Sequence, residues 1–440
     1  MRQAYPSGIR IAAVPRRVGL TIVGAALCLL AVGAGSALPQ VPAGDFFEAI
    51  DHPAIGYHSV APSDRVAQLA RRIAAGEQTL TRDDQTGYLP ALLRALDIPV
   101  ASQLAVFSPT SLQKEIISPQ NPRVIYFNES TVVAWPRGGF IEIAAQDPRQ
   151  GVIFYAMPQQ LLPRPSLIRR DDCLRCHYSY ATGGVPGLLA RSVVTGPRGE
   201  SMPFLGNYLT DDRSPLEERW AGWFVTGSTG QGRHLGNQQP PATRNLDLTV
   251  APQPSAVASF PEALKGHLSQ QSDVVAHLVF DHQIRVTNLL TRSGWEVRLA
   301  EAEQHDVRAT AERAARELVD ALVFVDEARL PDGLGHDSDF AVTFASRGPA
   351  DSRGRSLRTL DLRARLMRYA CSFMIYSEAF DALPAAARDA AYRRLWMVLS
   401  GDVKDPRYSR LTAADRAATV EILKETKTGL PDYFKQPLSR

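Results

Sequence analysis

The stretch RVIYFNESTVVAWPRGGFIEIAAQDPRQGVIFYAM, Arg123 to Met157, decides the fold class. Its runs Arg123 to Phe127, Thr131 to Trp135, Phe140 to Ala144 and Val152 to Ala156 are rich in β-branched and aromatic residues. Such residues suit a pleated surface, and runs this short are strands sooner than helices. Arg137-Gly138-Gly139 and Asp147-Pro148-Arg149-Gln150-Gly151 separate them with turn chemistry. With Leu104 to Phe107 ahead of them, the spacing predicts an antiparallel β meander.

Outward from this core the period changes. Upstream, Ser63-Asp64-Arg65 supplies a helix N-cap, Val66, Leu69, Ala70 and Ile73 follow at helical spacing, and Gly76 stops the run. Downstream come the glycine-rich Gly183-Gly184-Val185-Pro186-Gly187, a strand-like LLARSVVT and a turn at Gly196-Pro197-Arg198-Gly199. Ser214-Pro215-Leu216-Glu217 then reads as a short capped helix, WFVTG as extended chain and GSTGQGRHLGN as a long loop. From about residue 260 the pattern is helical, with helices predicted over roughly 263–292 and roughly 298–327. Leu362 to Phe380 reads as a third and Pro384 to Ser400 as a fourth, stopped by Gly401. A last helix is capped by Thr412 with Asp415 three residues on, and ends near Gly429. The predicted class is α+β: a β-rich region over 38–258, and a mainly helical region over 259–440 packing on it.

Residues 1–37 read differently. Arg2, Arg10, Arg16 and Arg17 precede the apolar run Val18 to Ala37, and Gly35 and Ala37 fit a cleavage site. This is the pattern of an export signal; an uncleaved membrane anchor is the alternative. Cys28 follows Leu27, where a lipoprotein site would want a small residue. The net charge of +3 comes from this segment: beyond it 45 basic residues face 46 acidic ones. That balance gives no argument for a nucleic-acid partner. The predicted location is the periplasm, with membrane attachment only where the segment is retained.

Three cysteines remain beyond residue 37. Cys371 lies in the apolar run Tyr369 to Met374 and reads as a buried small hydrophobe. Cys173 and Cys176 stand in RRDDCLRCHY, Arg169 to Tyr178, with His177 directly behind. Two thiols placed to add across two porphyrin vinyl groups, followed by an imidazole able to reach the iron, make C-x-x-C-H a haem attachment pattern. Cys173 and Cys176 would form the thioethers and His177 would be the proximal ligand of one haem c. Zinc would want a fuller array: no second C-x-x-C follows, and His277 and His282 fall on different faces of a helix. A redox dithiol would want a βαβ context, and a plain disulfide is the third alternative.

For the distal face of the iron, His282 lies on the core-facing stripe of its predicted helix with Val275, Leu278, Val286 and Leu289. A hydrogen-bonded core histidine is the competing reading. His234 lies between glycines in Gly232-Arg233-His234-Leu235-Gly236, and Met157 and Met202 are thioether candidates. Arg191, Arg198 and Arg233 are available to haem propionates, and Trp220, Trp223 and Phe224 to a haem wall. GSTGQG lacks the ending of a phosphate loop, and His336-Asp337-Ser338-Asp339 reads as a solvated acidic turn.

GVPGLLARSV after CLRCH, ERWAGWFVTG, RHLGN, DHQIRVTNLLTR and IYSEAFDALP resemble exported bacterial cytochrome c domain-containing proteins, a group of uncharacterised function. GYLPALLRALDIPVASQLAVFSPTSLQ and NPRVIYFNES extend the resemblance over nearly the whole chain beyond the signal. The resemblance implies covalent haem c through Cys173, Cys176 and His177. It also implies a histidine in the loop that here reads Gly227-Ser228-Thr229-Gly230, a departure that leaves His234 and His282 as the matching polar positions.

The predicted function is a periplasmic monohaem c-type cytochrome that passes electrons to a redox partner protein after loading by cytochrome c maturation machinery. The alternative is a haem enzyme, peroxidase-like or acting as an oxidoreductase on a small-molecule substrate, with an open or displaceable distal site.

Overall fold

In the meander, two of the turns are held by a side chain of the turn itself. Asn128 Oδ1 accepts the Ser130 and Thr131 amides, and Asp147 Oδ1 accepts those of Arg149 and Gln150. Gly138 and Gly151 take the positive φ values, 83° and 87°, that these reversals require. The computed structural model describes residues 49–161, 164–239, 255–256, 260–335 and 338–437. The apolar segment at 1–37, with Cys28, and the pair His336-Asp337 lie outside the described residues.

Two helices come first, α1 (Arg65–Ala75) and α2 (Leu89–Ala95). Asp64, rather than Ser63, caps α1 by accepting the Val66 and Ala67 amides, and Gly76 ends it at φ 77°. The strands β1 (Leu104–Val106), β2 (Arg123–Phe127), β3 (Thr131–Pro136), β4 (Ile141–Asp147), β5 (Gly151–Met157) and β6 (Ile168–Arg169) form the meander. Next come a short turn of helix, α3 (Leu174–His177), the hairpin β7 (Ala190–Val193) and β8 (Asn207–Thr210), and β9 (Trp223–Phe224). The main sheet has seven antiparallel strands in the order β6-β5-β4-β3-β2-β1-β9. The chain is therefore α+β, with this sheet in its N-terminal half and helices in its C-terminal half.

Both faces of the sheet are covered, and the pleat sorts its side chains between two cores. Val124, Tyr126, Val133, Ile143, Ile153 and Tyr155 point into one core, with α1 and α2. Ile125, Phe127, Val132, Ala134, Val152 and Phe154 point into the other. That second face lies under α5 (Val274–Ala302), which follows the short α4 (Phe260–Ala263). Asp273 caps α5 through the Val275 and Ala276 amides. The helix enters at the β9 edge, where the Val274 amide meets the Thr226 carbonyl. It reaches the β5 side at Thr291, whose hydroxyl accepts from Gln146. Beyond it come α6 (Val307–Leu322), α7 (Asp339–Ser346), α8 (Glu378–Asp381), α9 (Ala385–Ser400) and α10 (Ala413–Thr426). Residues 42–440 form one compact unit, so the β-rich and helical regions are layers of a single body.

Three expectations need correction. The first long helix spans Val274 to Ala302 instead of roughly 263–292, running on through the packed Ser293-Gly294 to its C-cap Glu303, and the next starts only at Val307, capped by Asp306. Leu362 to Phe380 is not one helix; only Glu378 to Phe380, at its end, lie in an α-helix, α8. Leu362 takes a φ of 57°, and tertiary bonds pull its backbone aside: Leu366 N–H to Glu327, Ala370 N–H to Thr419 and Ser372 N–H to the Leu322 carbonyl. Ser214 does not cap a helix through its side chain; Leu216–Glu218 is a single 3₁₀ turn. The α9 and α10 expectations stand, with Gly401 at φ 81° and Thr412 and Asp415 bonding reciprocally. Among the described residues no helix is long and apolar enough to cross a membrane.

Candidate functional site

The motif is clamped from its first residues. Arg169 bonds Asp171 at 3.0 Å, and its guanidinium reaches the Tyr57 carbonyl at 2.7 Å. Arg170 grips both carboxylate oxygens of Asp172, at 3.0 and 2.6 Å. The two Arg–Asp pairs brace the turn where the edge strand β6 becomes helix. Cys173 already has helical φ and ψ, so Cys173, Cys176 and His177 stand at i, i+3 and i+4 and share one face of the turn. All three are only partly covered or exposed, and both thiols are free.

His177 is oriented by the segment that follows it. The loop after the motif uses positive φ at Gly183 and Gly184 to return to its start. There Gly187 donates its amide to the His177 carbonyl at 2.9 Å, and its own carbonyl lies 2.9 Å from His177 Nδ1. A carbonyl only accepts, so Nδ1 carries the proton and Nε2 keeps its lone pair. Asn288 of α5 holds this loop as a strand partner would: Oδ1 accepts the Leu188 amide and Nδ2 donates to the Leu188 carbonyl, both at 2.8 Å. A Cβ on Gly187 would stand 2.3 Å from Asn288 Oδ1, so the approach requires glycine. The imidazole packs on Phe154 of β5, ring centroids 4.8 Å apart, and burial lowers its basicity.

Burial, with the charges of Asp172 and Glu142, pushes the Cys173 thiol up to about 12. A thiol so poised is not a thiolate at neutral pH, which counts against a reactive redox dithiol. Two groups that the sequence analysis missed stand on the sheet beside the motif. Glu142 of β4 and Arg123 of β2 form an ion pair at 2.7 Å, and both act on His177. Glu142 also accepts from Ser111 and Gln113. The available signal is a glutamate within the apolar run Ile141 to Ala145 of that strand.

The predicted distal residues are not brought to His177. His282 is fully buried, Nδ1 2.7 Å from Asp212 Oδ2 and Nε2 2.7 Å from Ser372 Oγ, with Phe324 stacked on its ring at 4.4 Å. Both nitrogens are engaged, so it is a satisfied core histidine. His234 packs on Trp220 beside β9. Strand β9 lies five strand steps from β5, roughly 24 Å at the usual interstrand spacing. The same distance removes Trp220, Trp223 and Phe224 as a wall for a group at His177. Met157 is buried in the core on the opposite sheet face, and Met202 is half-buried in the β7–β8 loop. Arg191, Arg198 and Arg233 are exposed, Arg191 bonding Asn207. His277 bonds the Phe224 carbonyl and Ser272, apart from the partners of His282. His267, also missed, is buried with neither ring nitrogen partnered among the described residues, but it lies edge-on to Trp135 on the far sheet face. Among the described residues no group of three His, Cys, Asp or Glu is placed to hold a metal ion.

The Asp212–His282–Ser372 chain has the connectivity of an acyl-transfer triad. Ser372 and His282 are wholly inaccessible and Asp212 nearly so, so no substrate reaches the hydroxyl. The chain is instead part of a buried polar seam. Arg285 bonds Asp212 at 3.1 Å, and Arg219 and Trp220 reach Asp281 at 3.3 and 3.2 Å. Glu327, in the same seam, accepts the Leu366 amide, and burial raises its carboxyl from 4.5 to about 7. The folded chain thus holds a proton that the unfolded chain releases. The stabilisation is full below pH 4.5 and is lost as pH rises to about 7, about 3 kcal/mol in all. Glu327→Gln is expected to flatten this decline, read from urea unfolding free energies at pH 5 and pH 8.

Compared with protein-family models, curated proteins and solved structures, the chain matches none.

Proposed function

We propose that the protein is an exported monohaem c-type cytochrome, holding one haem through Cys173 and Cys176 with His177 as proximal ligand, and passing single electrons. The observation that carries the reading is the tautomer of His177. The Gly187 carbonyl accepts a hydrogen bond from Nδ1–H, which leaves Nε2 with its lone pair for iron, on the same face of the turn as both thiols. Such an outer hydrogen bond fixes a ligating imidazole and raises its basicity. A haem there would supply a one-electron ferric–ferrous couple. The chain's own part is to present two thiols, orient the imidazole through Gly187 and Asn288, and cover one side of the centre with Phe154.

A second reading, a haem enzyme with an open distal face, is favoured by His282, whose two nitrogens are already bonded within the core. The resemblance to exported cytochrome c domain-containing proteins agrees with both.

The test is the full chain produced with a cytochrome c maturation system. Haem that stays with the denatured chain on a gel is expected, and is expected to vanish in the Cys173→Ala, Cys176→Ala double variant. A chain free of covalent haem ends the proposal. Carbon monoxide binding to the ferrous protein separates the two readings: rapid binding selects the enzyme, and none selects the carrier.

A further inference from the structure

We infer that Asn288 of α5 is a positioning residue of this centre, acting on the His177 ring through the single peptide group that joins Gly187 to Leu188. The inference rests on the haem reading above and adds what sets the electron density at the ligating nitrogen. The Gly187 carbonyl lies 2.9 Å from His177 Nδ1, and at the other end of the same peptide the Leu188 amide donates to Asn288 Oδ1 at 2.8 Å. The two bonds run in one direction, Nδ1–H to the carbonyl and then amide N–H to Oδ1. Asn288 and His177 are thus joined across one planar, conjugated unit.

The neighbouring backbone groups hold that unit in place. Gly187 donates its own amide to the His177 carbonyl at 2.9 Å, and the Pro186 carbonyl accepts the Val152 amide of β5 at 3.0 Å. The Leu188 carbonyl accepts from Asn288 Nδ2 at 2.8 Å. A peptide N–H only donates and a carbonyl only accepts, so the two ends of the Asn288 amide have a single assignment. One turn further along α5, Arg292 Cδ lies 3.7 Å from where a Cβ on Gly183 would stand, so one face of the helix follows the loop. Motif, sheet and helix therefore fix the peptide from three sides.

Hydrogen bonds linked in this way polarise one another, by roughly 10–30% per bond. Drawing the Leu188 amide proton towards Oδ1 moves charge onto the Gly187 carbonyl oxygen, which then accepts more strongly from Nδ1–H. A stronger bond at Nδ1 makes Nε2 the more basic ligand, and a more basic ligand favours ferric over ferrous iron. Asn288 therefore holds the reduction potential down. A side chain that only secured the loop would change stability without this effect on the ring.

The experiment uses the haem-loaded full chain, with covalent haem verified on a denaturing gel. Midpoint potentials are measured for the parent, Asn288→Leu and Asn288→Asp. The His177 Nδ1–H resonance is followed by proton NMR in the ferrous state, under carbon monoxide where the distal face is open. Asn288→Leu removes the acceptor with little change of volume, so the resonance moves upfield and the potential rises. Asn288→Asp keeps Oδ1 and makes it an anionic, stronger acceptor, so the resonance moves downfield and the potential falls. A parental resonance in Asn288→Leu, or a potential that does not rise there, overturns the inference and leaves the haem reading intact. Where Asn288→Leu does not fold, Asn288→Asp decides, and a resonance at or upfield of the parent's is fatal. A parent chain without covalent haem instead defeats the underlying reading.

Discussion

On the haem reading proposed above, a His177→Gly variant, matured alongside the parent, is expected to keep covalent haem and to lose the spectrum of an imidazole-ligated iron completely. The proposed thioethers depend on Cys173 and Cys176, which the change does not touch. The proximal nitrogen disappears, and the Gly187 carbonyl loses the N–H that it accepts at 2.9 Å. Deletion to glycine also opens a space against Phe154, whose ring now packs on the imidazole. Added free imidazole should enter that space and restore the parental absorption bands. An unchanged spectrum in the variant would mean that another residue holds the iron, and the reading of the tautomer would fall with it.

The second large effect concerns stability. Asp212→Ala is expected to destabilise the fold by about 3–5 kcal/mol, measured by urea unfolding at neutral pH, because it leaves buried charge and buried donors uncompensated. Asp212 accepts from His282 at 2.7 Å and from Arg285 at 3.1 Å, and its carbonyl accepts from Arg219 at 2.9 Å. Burial alone would raise its carboxyl; the Arg285 and His282 charges and bonds outweigh that and hold it at about 2. The folded value lies below the ordinary 3.8, so the stabilisation is present above pH 3.8 and is lost as pH falls towards 2. A cost below about 1 kcal/mol, the range of exposed ion pairs, would show that the seam does not join the layers.

The seam also explains why His282 misleads. On the helical stripe of the sequence it is one polar residue facing inwards, equally suited to a metal or to a hydrogen bond. Asp212 and Ser372, 70 and 90 residues away along the chain, decide between them by occupying both nitrogens. No local pattern carries that information. The same holds for His234, whose glycine neighbours suggested access to a porphyrin. Its distance from His177 is set by the sheet order, in which β9 joins β1 at the edge remote from the motif.

Local chemistry is legible along the chain. Asx turns, glycines at positive φ and alternating apolar residues specify the meander from Arg123 to Met157, because each acts within a few positions of itself. The Asp64, Thr412–Asp415 and Gly401 caps are of the same kind, as is the spacing that places Cys173, Cys176 and His177 on one helical face. Which distant groups meet is a property of the tertiary fold. It drew Leu362 to Ser372 out of helix by bonding their backbone to Glu327, Thr419 and Leu322, bonds that outweigh a helical pattern worth only tenths of a kcal/mol per residue. It set Asn288 of a long helix behind the Gly187 loop, and Arg123 of β2 and Glu142 of β4, with β3 between them, near the imidazole. The motif was legible because its residues are adjacent; its surroundings were not, because strand register and helix placement assemble them from across the chain.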